Sequence, residues 1–274
     1  MTSDFSPSLT SMTAQGMLEV DQPEDRRLQV HFKTEAGRLW LILPAETKAK
    51  SFAPDSWPEL WQQLQQRLRA GKRFWQPQTD VHLLAAERLL DGRQLQLIAQ
   101  ALGEVQLQLR CVYTSRRQTA VTAATAGYSV EQQAPPVPFN QSATPATQAL
   151  ADPLYLQTTV RSGVEIRHPG TVVVLGDLNP GSSLVADGDI MVWGRLRGVA
   201  HAGASGNAQC RIMALQLEPT QLRIAGQMAR APETPPAQLY PEVAYVTAEG
   251  IRIARATDFS KSNFHPLSKP PELP

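Results

Sequence analysis

Cysteine is scarce in this chain: Cys111 and Cys210 are the only two among 274 residues. They lie far apart, which excludes a disulfide framework, and both read as core residues of a protein from a reducing compartment. An excess of charge of either sign is missing as well. The formal net charge is +1, so no basic face is implied and nucleic acid is not an expected partner. No apolar run approaches membrane-spanning length, and the polar start MTSDFSPSLTSMTAQG, with Asp4 early, lacks the layout of a signal peptide. These absences place the protein in the cytoplasm. Chemistry-bearing motifs are also wanting. His31, His82, His168, His201 and His265 show no metal spacing with one another or with cysteine, and no serine sits in a nucleophile elbow. The stretch Gly176 to Ser183 has the glycine spacing of a phosphate loop, but Ser182 stands where a lysine must reach the phosphates. Asp187-Gly188-Asp189 lacks the rest of a calcium loop and reads as a turn. No catalytic residue, metal or cofactor is expected, and the chain does not read as an enzyme.

What the chain does contain is an internal repeat, from His168 to Gly206. At a spacing of 18 residues, Gly170 falls on Gly188 and Gly206, Val172 on Ile190, Val174 on Val192, Gly176 on Gly194 and Leu178 on Leu196. Apolar residues alternate within each copy, as a strand with one buried face requires, and glycine recurs where the backbone must turn. Stacked copies of this length make a parallel, right-handed β-helix, each coil pairing with its neighbours around one interior column. In the third copy Ala208 and Cys210 take the places of Val172 and Val174, so the phase loosens there. Leu215, Leu217, Leu222 and Ile224 continue as strands, with Pro219 at a corner.

Ahead of the repeat the pattern differs. Leu28, Val30 and Phe32, then Leu39, Leu41 and Leu43 after Gly37, suggest a β-hairpin. Ser56-Trp57-Pro58-Glu59 has capping-box form, and Trp57, Leu60, Trp61, Leu64 and Leu68 follow on one helical stripe ending at Gly71. Val81 to Ala85 reads as a strand, Asp91 to Gln94 opens a second helix, and Val105, Leu107 and Leu109 begin a fourth strand. The fold class is therefore a small α/β domain of order ββαβαβ followed by an all-β domain. The boundaries read as a disordered leader at 1–16, the α/β domain at 17–115, a flexible Pro-rich linker at 116–153, the β-helical domain at 154–254 and a disordered tail at 255–274. Within the third of these, Pro135, Pro136, Pro138 and Pro145 interrupt an Ala-, Thr- and Gln-rich segment, implying domains that move independently.

Arg161-Ser162-Gly163 puts a cation and a hydroxyl on a corner at the start of the repeat. Together with Val172 to Gly181, Ala186 to Ile190, Val192-Trp193-Gly194, Leu196-Arg197-Gly198 and Ala200-His201-Ala202-Gly203, it resembles the septum site-determining protein MinC family over about residues 156–230. The resemblance implies a homodimeric inhibitor of bacterial cell division. Its amino-terminal domain would antagonise polymerisation of the tubulin-like FtsZ. Its β-helical domain would dimerise and dock on the ATP-bound, membrane-associated ATPase MinD, reaching the inner membrane only through that partner. Arg161, Ser162 and Gly163 match the family's MinD-contacting motif Arg-Ser-Gly-Gln, and Val164 departs from its last position. Some relatives hold the acidic FtsZ tail with an arginine in Leu-Arg-Gly-Arg-Ala; Val199 stands there, leaving Arg195 and Arg197 nearby. A bactofilin-like scaffold and a hexapeptide-type acyltransferase using His168 or His201 are the alternatives from other classes, the second lacking its strict six-residue cadence.

Overall fold

A computed structural model describes residues 29–44, 57–71, 73–133, 150–229 and 240–262. The chain opens with an antiparallel hairpin of β1 (His31–Glu35) and β2 (Arg38–Ile42). Its two-residue turn has positive φ at Ala36 (50°) and Gly37 (75°), the twist that suits a tight hairpin. In α1 (Trp57–Gly71), Leu60, Leu64 and Leu68 are buried on one stripe, while Trp57 and Trp61 stack with ring centroids 5.7 Å apart. Ser56, the expected cap, lies outside the described residues. After β3 (Thr79–Ala86) comes α2 (Gly92–Glu104). Here the capping box is formed: Gln94 N–H donates to Asp91 Oδ1 at 2.7 Å, and Asp91 N–H to Gln94 Oε1 at 3.0 Å. The chain then enters β4 (Leu107–Thr114), and β2, β3 and β4 are parallel neighbours.

Where the sequence suggests the flexible linker of residues 116–153 stand α3 (Arg117–Thr125), β5 (Ser129–Gln132), which is parallel to β4, and the first residues of β6 (Ala151–Leu156). The amino-terminal half is therefore ββαβαβαβ and runs to Gln132. Small side chains account for the difference. Ala and Thr look like tether composition, yet they let α3 lie close to the sheet with Thr119, Ala120, Ala123 and Ala124 buried. The prolines from Pro135 to Pro145 fall within 134–149, outside the described residues.

The second half climbs in coils: β6 (Ala151–Leu156), β7 (Glu165–His168), β8 (Gly170–Val174), β9 (Ser183–Ala186), β10 (Ile190–Leu196), β11 (Val199–Ala202), β12 (Ile212–Leu217) and β13 (Gln221–Ile224). Even-numbered strands form one parallel array and odd-numbered strands another, so the chain alternates between them. Bridges from Val160 to Leu178 and from Leu178 to Leu196 mark a third side. Leu154, Val172 and Ile190 stack in register inside, all fully buried. The third copy is re-phased: Ile190 pairs with Ile212, 22 residues on, and not with Ala208. The extra residues leave as a loop turning at Gly203 and Gly206, with φ of 58° and 109°, and return at buried Cys210.

The stack is closed by antiparallel strands. The strand β14 (Gln227–Ala229) folds back on β13, and the hairpin of β15 (Glu242–Thr247) and β16 (Gly250–Arg255) adds to β12. Part of the segment expected as a disordered tail is helical: α4 (Ala256–Ser262) seats the buried Phe259 ring 5.1 Å from that of Tyr245. Residues 263–274 and the leader at 1–16 lie outside the described residues.

The halves are joined through their sheets. Val130 and Glu131 of β5 pair in parallel with Ile166 and Arg167 of β7, giving one ten-stranded sheet in the order β1-β2-β3-β4-β5-β7-β9-β11-β13-β14. Val130 and Ile166 are both buried, so the helix-covered side of the first half continues as the interior of the second. This pairing replaces the expected independence of the domains. Among the described residues no helix is long and apolar enough to cross a membrane.

Candidate functional site

The corner singled out by sequence is an exposed turn leading into β7. Val164 N–H donates to Arg161 C=O at 3.1 Å, and Gly163 has φ of 80°, a conformation that favours glycine. Gly163 N–H donates in turn to Gly181 C=O at 2.8 Å, tying the corner to the next coil. Arg161, Ser162 and Gly163 are all exposed, whereas Val164 is buried in the core. The departure at Val164 therefore exchanges a polar group for core packing. Arg161 makes no ion pair or side-chain hydrogen bond among the described residues, leaving its five donors open to a ligand.

The second pair of candidates shares this ridge. Because Val160, Leu178 and Leu196 stack, the residues that follow them, Arg161, Asn179 and Arg197, form one column. Arg197 Nη2 donates to Asn179 Oδ1 at 2.7 Å and lies 3.7 Å from Asp177 Oδ2. Arg197 thus braces the coils. Arg195 is exposed and is tied in through its backbone alone: its N–H donates to Asp177 Oδ1 at 2.8 Å, and its C=O accepts from Leu178 N–H at 2.8 Å. Of the two, Arg195 has the free guanidinium.

Sequence reasoning missed a groove between the halves, of about 550 Å³, beside the same corner. Arg38, His82, Arg110 and Tyr113 line it from one half, and Gly163, Glu165 and Arg167 from the other. No sequence spacing could have joined strands that meet only through the β5–β7 pairing. Glu165 N–H donates to Ser129 Oγ at 3.0 Å across the junction, and Arg167 Nη2 lies 3.2 Å from Glu165 Oε1. Burial, reinforced by Arg38 and Arg110, lowers the His82 pKa and keeps the ring neutral. Burial pushes the Cys111 thiol up to about 11, which leaves it protonated and a poor nucleophile.

A further surface is apolar. Tyr155, Val173, Met191 and Met213 lie in register on the outward side of β6, β8, β10 and β12. Trp193 beside them is 60% exposed. A shallow cavity of about 180 Å³ lined by Met191, Trp193, Met213, Leu215 and Val243 continues the patch. Contiguous apolar surface of this kind marks a contact face. The signal was present in sequence, since these strands carry apolar residues at both phases, as strands covered on two sides do.

The family profile described as septum formation inhibitor MinC, C-terminal domain, matches residues 154–256. A probable septum site-determining protein MinC from Nostoc sp. is 54% identical over 252 residues, covering 92% of this chain and 69% of that protein. Its counterpart from Gloeobacter violaceus is 52% identical over 239 residues, covering 87% and 83%. Among solved structures, a chain of the MinC:MinD cell division protein complex from Aquifex aeolicus is 38% identical, spans 38% of this chain and 87% of its own, and gives a TM-score of 0.37. Since the identity to the first two extends through both the helix-covered half and the coils, the chain belongs to the septum site-determining protein MinC family.

Proposed function

We propose that the chain blocks septum formation at misplaced sites, with its amino-terminal half antagonising FtsZ assembly and its coils, a right-handed parallel β-helix, docking on ATP-bound MinD. The observation that carries this reading is the Arg161–Gly163 corner: exposed, held in one conformation by two backbone hydrogen bonds, and presenting an unpaired guanidinium. Such a corner meets an acidic or carbonyl-rich patch without rearrangement. ATP hydrolysis belongs to the partner, the chain itself performs no catalysis, and it reaches the inner membrane only through MinD. The apolar row from Tyr155 to Met213, with Trp193, is the face through which a homodimer forms. A dimer presents two inhibitory halves, so one engaged at a filament subunit meets the next at raised effective concentration. Arg195, with its free guanidinium, is the better candidate of the pair for the acidic FtsZ tail.

The scaffold alternative requires open coil ends. Here β5 pairs onto β7 at one end, and β14 with the β15–β16 hairpin covers the other, which disfavours end-to-end growth. Arg161→Ala is expected to abolish binding to ATP-loaded MinD while changing stability by less than about 0.5 kcal/mol, because an exposed corner charge contributes little to folding. Unchanged affinity in that variant overturns the assignment of the corner. Pelleting of FtsZ polymers with GTP tests the other half of the reading: folded, dimeric full-length protein that leaves the pellet intact refutes it.

A further inference from the structure

The hairpin that closes the stack also builds one wall of a socket. The cavity of about 180 Å³ on the apolar face lies between Met213 and Leu215 of β12 and Pro241, Glu242 and Val243 at the start of β15, with Trp193 on its rim. It has room for one ring and not for a helix. The wall is apolar apart from Glu242, the one ionisable group among the described residues that line it. Burial raises the pKa of that carboxyl against the pull of Arg255, which lies opposite it in the β15–β16 hairpin. The Arg255 guanidinium is itself seated over the Tyr240 ring, 4.1 Å from its centroid. Glu242 makes no side-chain hydrogen bond or ion pair among the described residues, so a half-buried acceptor borders an apolar hollow without a donor.

The complementary group stands beside it. Trp193 is 60% exposed, and its indole joins an apolar body to a single N–H donor that has no partner among the described residues. It lies on β10, which with β12 occupies the centre of the six-stranded sheet β16-β15-β12-β10-β8-β6. A two-fold axis passing there lays the whole sheet of one copy on that of another, and a two-fold contact makes each knob-and-socket pair twice. Tyr155 is the other exposed aromatic of the face, but it sits on the edge strand β6, and an axis through the centre does not bring it to the socket.

We propose that in the homodimer the Trp193 indole of each copy fills the socket of the other and donates its N–H to Glu242 there. The proposal rests on the homodimer argued above and supplies its register. It also gives the C-terminal hairpin a second task, since the strand that caps the coils completes the contact face.

The test follows the monomer–dimer equilibrium of the full-length chain by sedimentation over a range of concentrations, each variant being checked for folding by circular dichroism. Trp193→Ala is expected to weaken the dimer about thirtyfold or more. Trp193→Phe keeps a ring and removes the donor, while Glu242→Leu removes the acceptor, and each is expected to weaken it about fivefold. Once Trp193→Phe is in place, Glu242→Leu is expected to cost nothing further. Losses that multiply in the double variant show that the two groups do not meet, and overturn the proposal. A dimer unmoved by Trp193→Ala overturns it as well; if Tyr155→Ala then dissociates the dimer, the apolar face stands and only the register falls. A parent chain that stays monomeric at every concentration removes the homodimer itself, and the proposal with it.

Discussion

In the first half, α1, α2 and α3 cover one side of β2 to β5, and residues distant in sequence, such as Leu41, Leu64, Leu83 and Ile98, fill a common core. In the coils, a residue meets its counterpart one turn away: Val172 meets Ile190, and Leu178 meets Leu196. The contrast shows in what each half tolerates. A layered core absorbs change by shifting side chains, while a coil stack places backbone directly on backbone. Glycine makes the point most sharply. A Cβ on Gly194 would come within 2.3 Å of the Gly176 carbonyl oxygen, whereas one on Gly103, in α2, meets nothing within 4 Å.

The same substitution at these two glycines is therefore expected to act with opposite sign. Gly194→Ala should destabilise by about 3 kcal/mol or more, since the obstacle is backbone of the neighbouring coil and not a side chain that can swing aside. Equal tolerance at both sites in chemical denaturation would break the comparison. Next in size is the seam. Because the two halves share a sheet, the parent chain is expected to unfold in urea as one transition, whether followed by fluorescence or by circular dichroism. Val130→Pro, which removes the backbone donor of a residue paired with Ile166, should split that transition into two. Two transitions in the parent itself would show the halves to be independent. A smaller effect belongs to Gly103→Ala, which should stabilise α2 by about 0.5–1 kcal/mol, read as a rise in thermal midpoint.

The smallest effect is one of pH and again separates the regions. Burial lowers the pKa of His168 at the seam and of His201 in the coils, as it does for His82. His168 Nδ1 lies 3.0 Å from Gln132 Oε1 and its Nε2 3.0 Å from Asp152 C=O, so this ring links β5, β6 and β7. Each of the three takes up a proton more readily in the unfolded chain, so stability is unaffected above the ordinary histidine range and falls as pH drops through about 6.5. Thermal midpoints between pH 7.5 and 5 are expected to decline, and His168→Asn to flatten the decline. A midpoint that rises on acidification contradicts the burial of these rings.

Legibility followed the same division. The corner at Arg161, the 18-residue phase and the capped helix at Asp91 could be read directly, because each rests on residues a few positions or one coil apart. The re-phasing to Ile212 could not, since Ala208 and Cys210 satisfy the alternation about as well and only the stacked coils choose between registers. The segment containing α3 and β5 read as tether because its Ala and Thr side chains carry little hydrophobic signal. Their small size acquires meaning only when a sheet is there to receive them.

By itself, the sequence determined the local periods: helical stripes, alternating strands, glycine at the coil corners, and the corner that carries Arg161. These depend on backbone geometry and neighbouring side chains, which a short stretch contains in full. Only the tertiary structure decided that β5 lies beside β7, that Arg38 and Arg110 face Gly163 across one groove, and that Arg197 braces the coils while Arg195 is left free. Those outcomes depend on which strands compete successfully for the same partner. That contest is settled by burial over the whole chain, and no single segment records it.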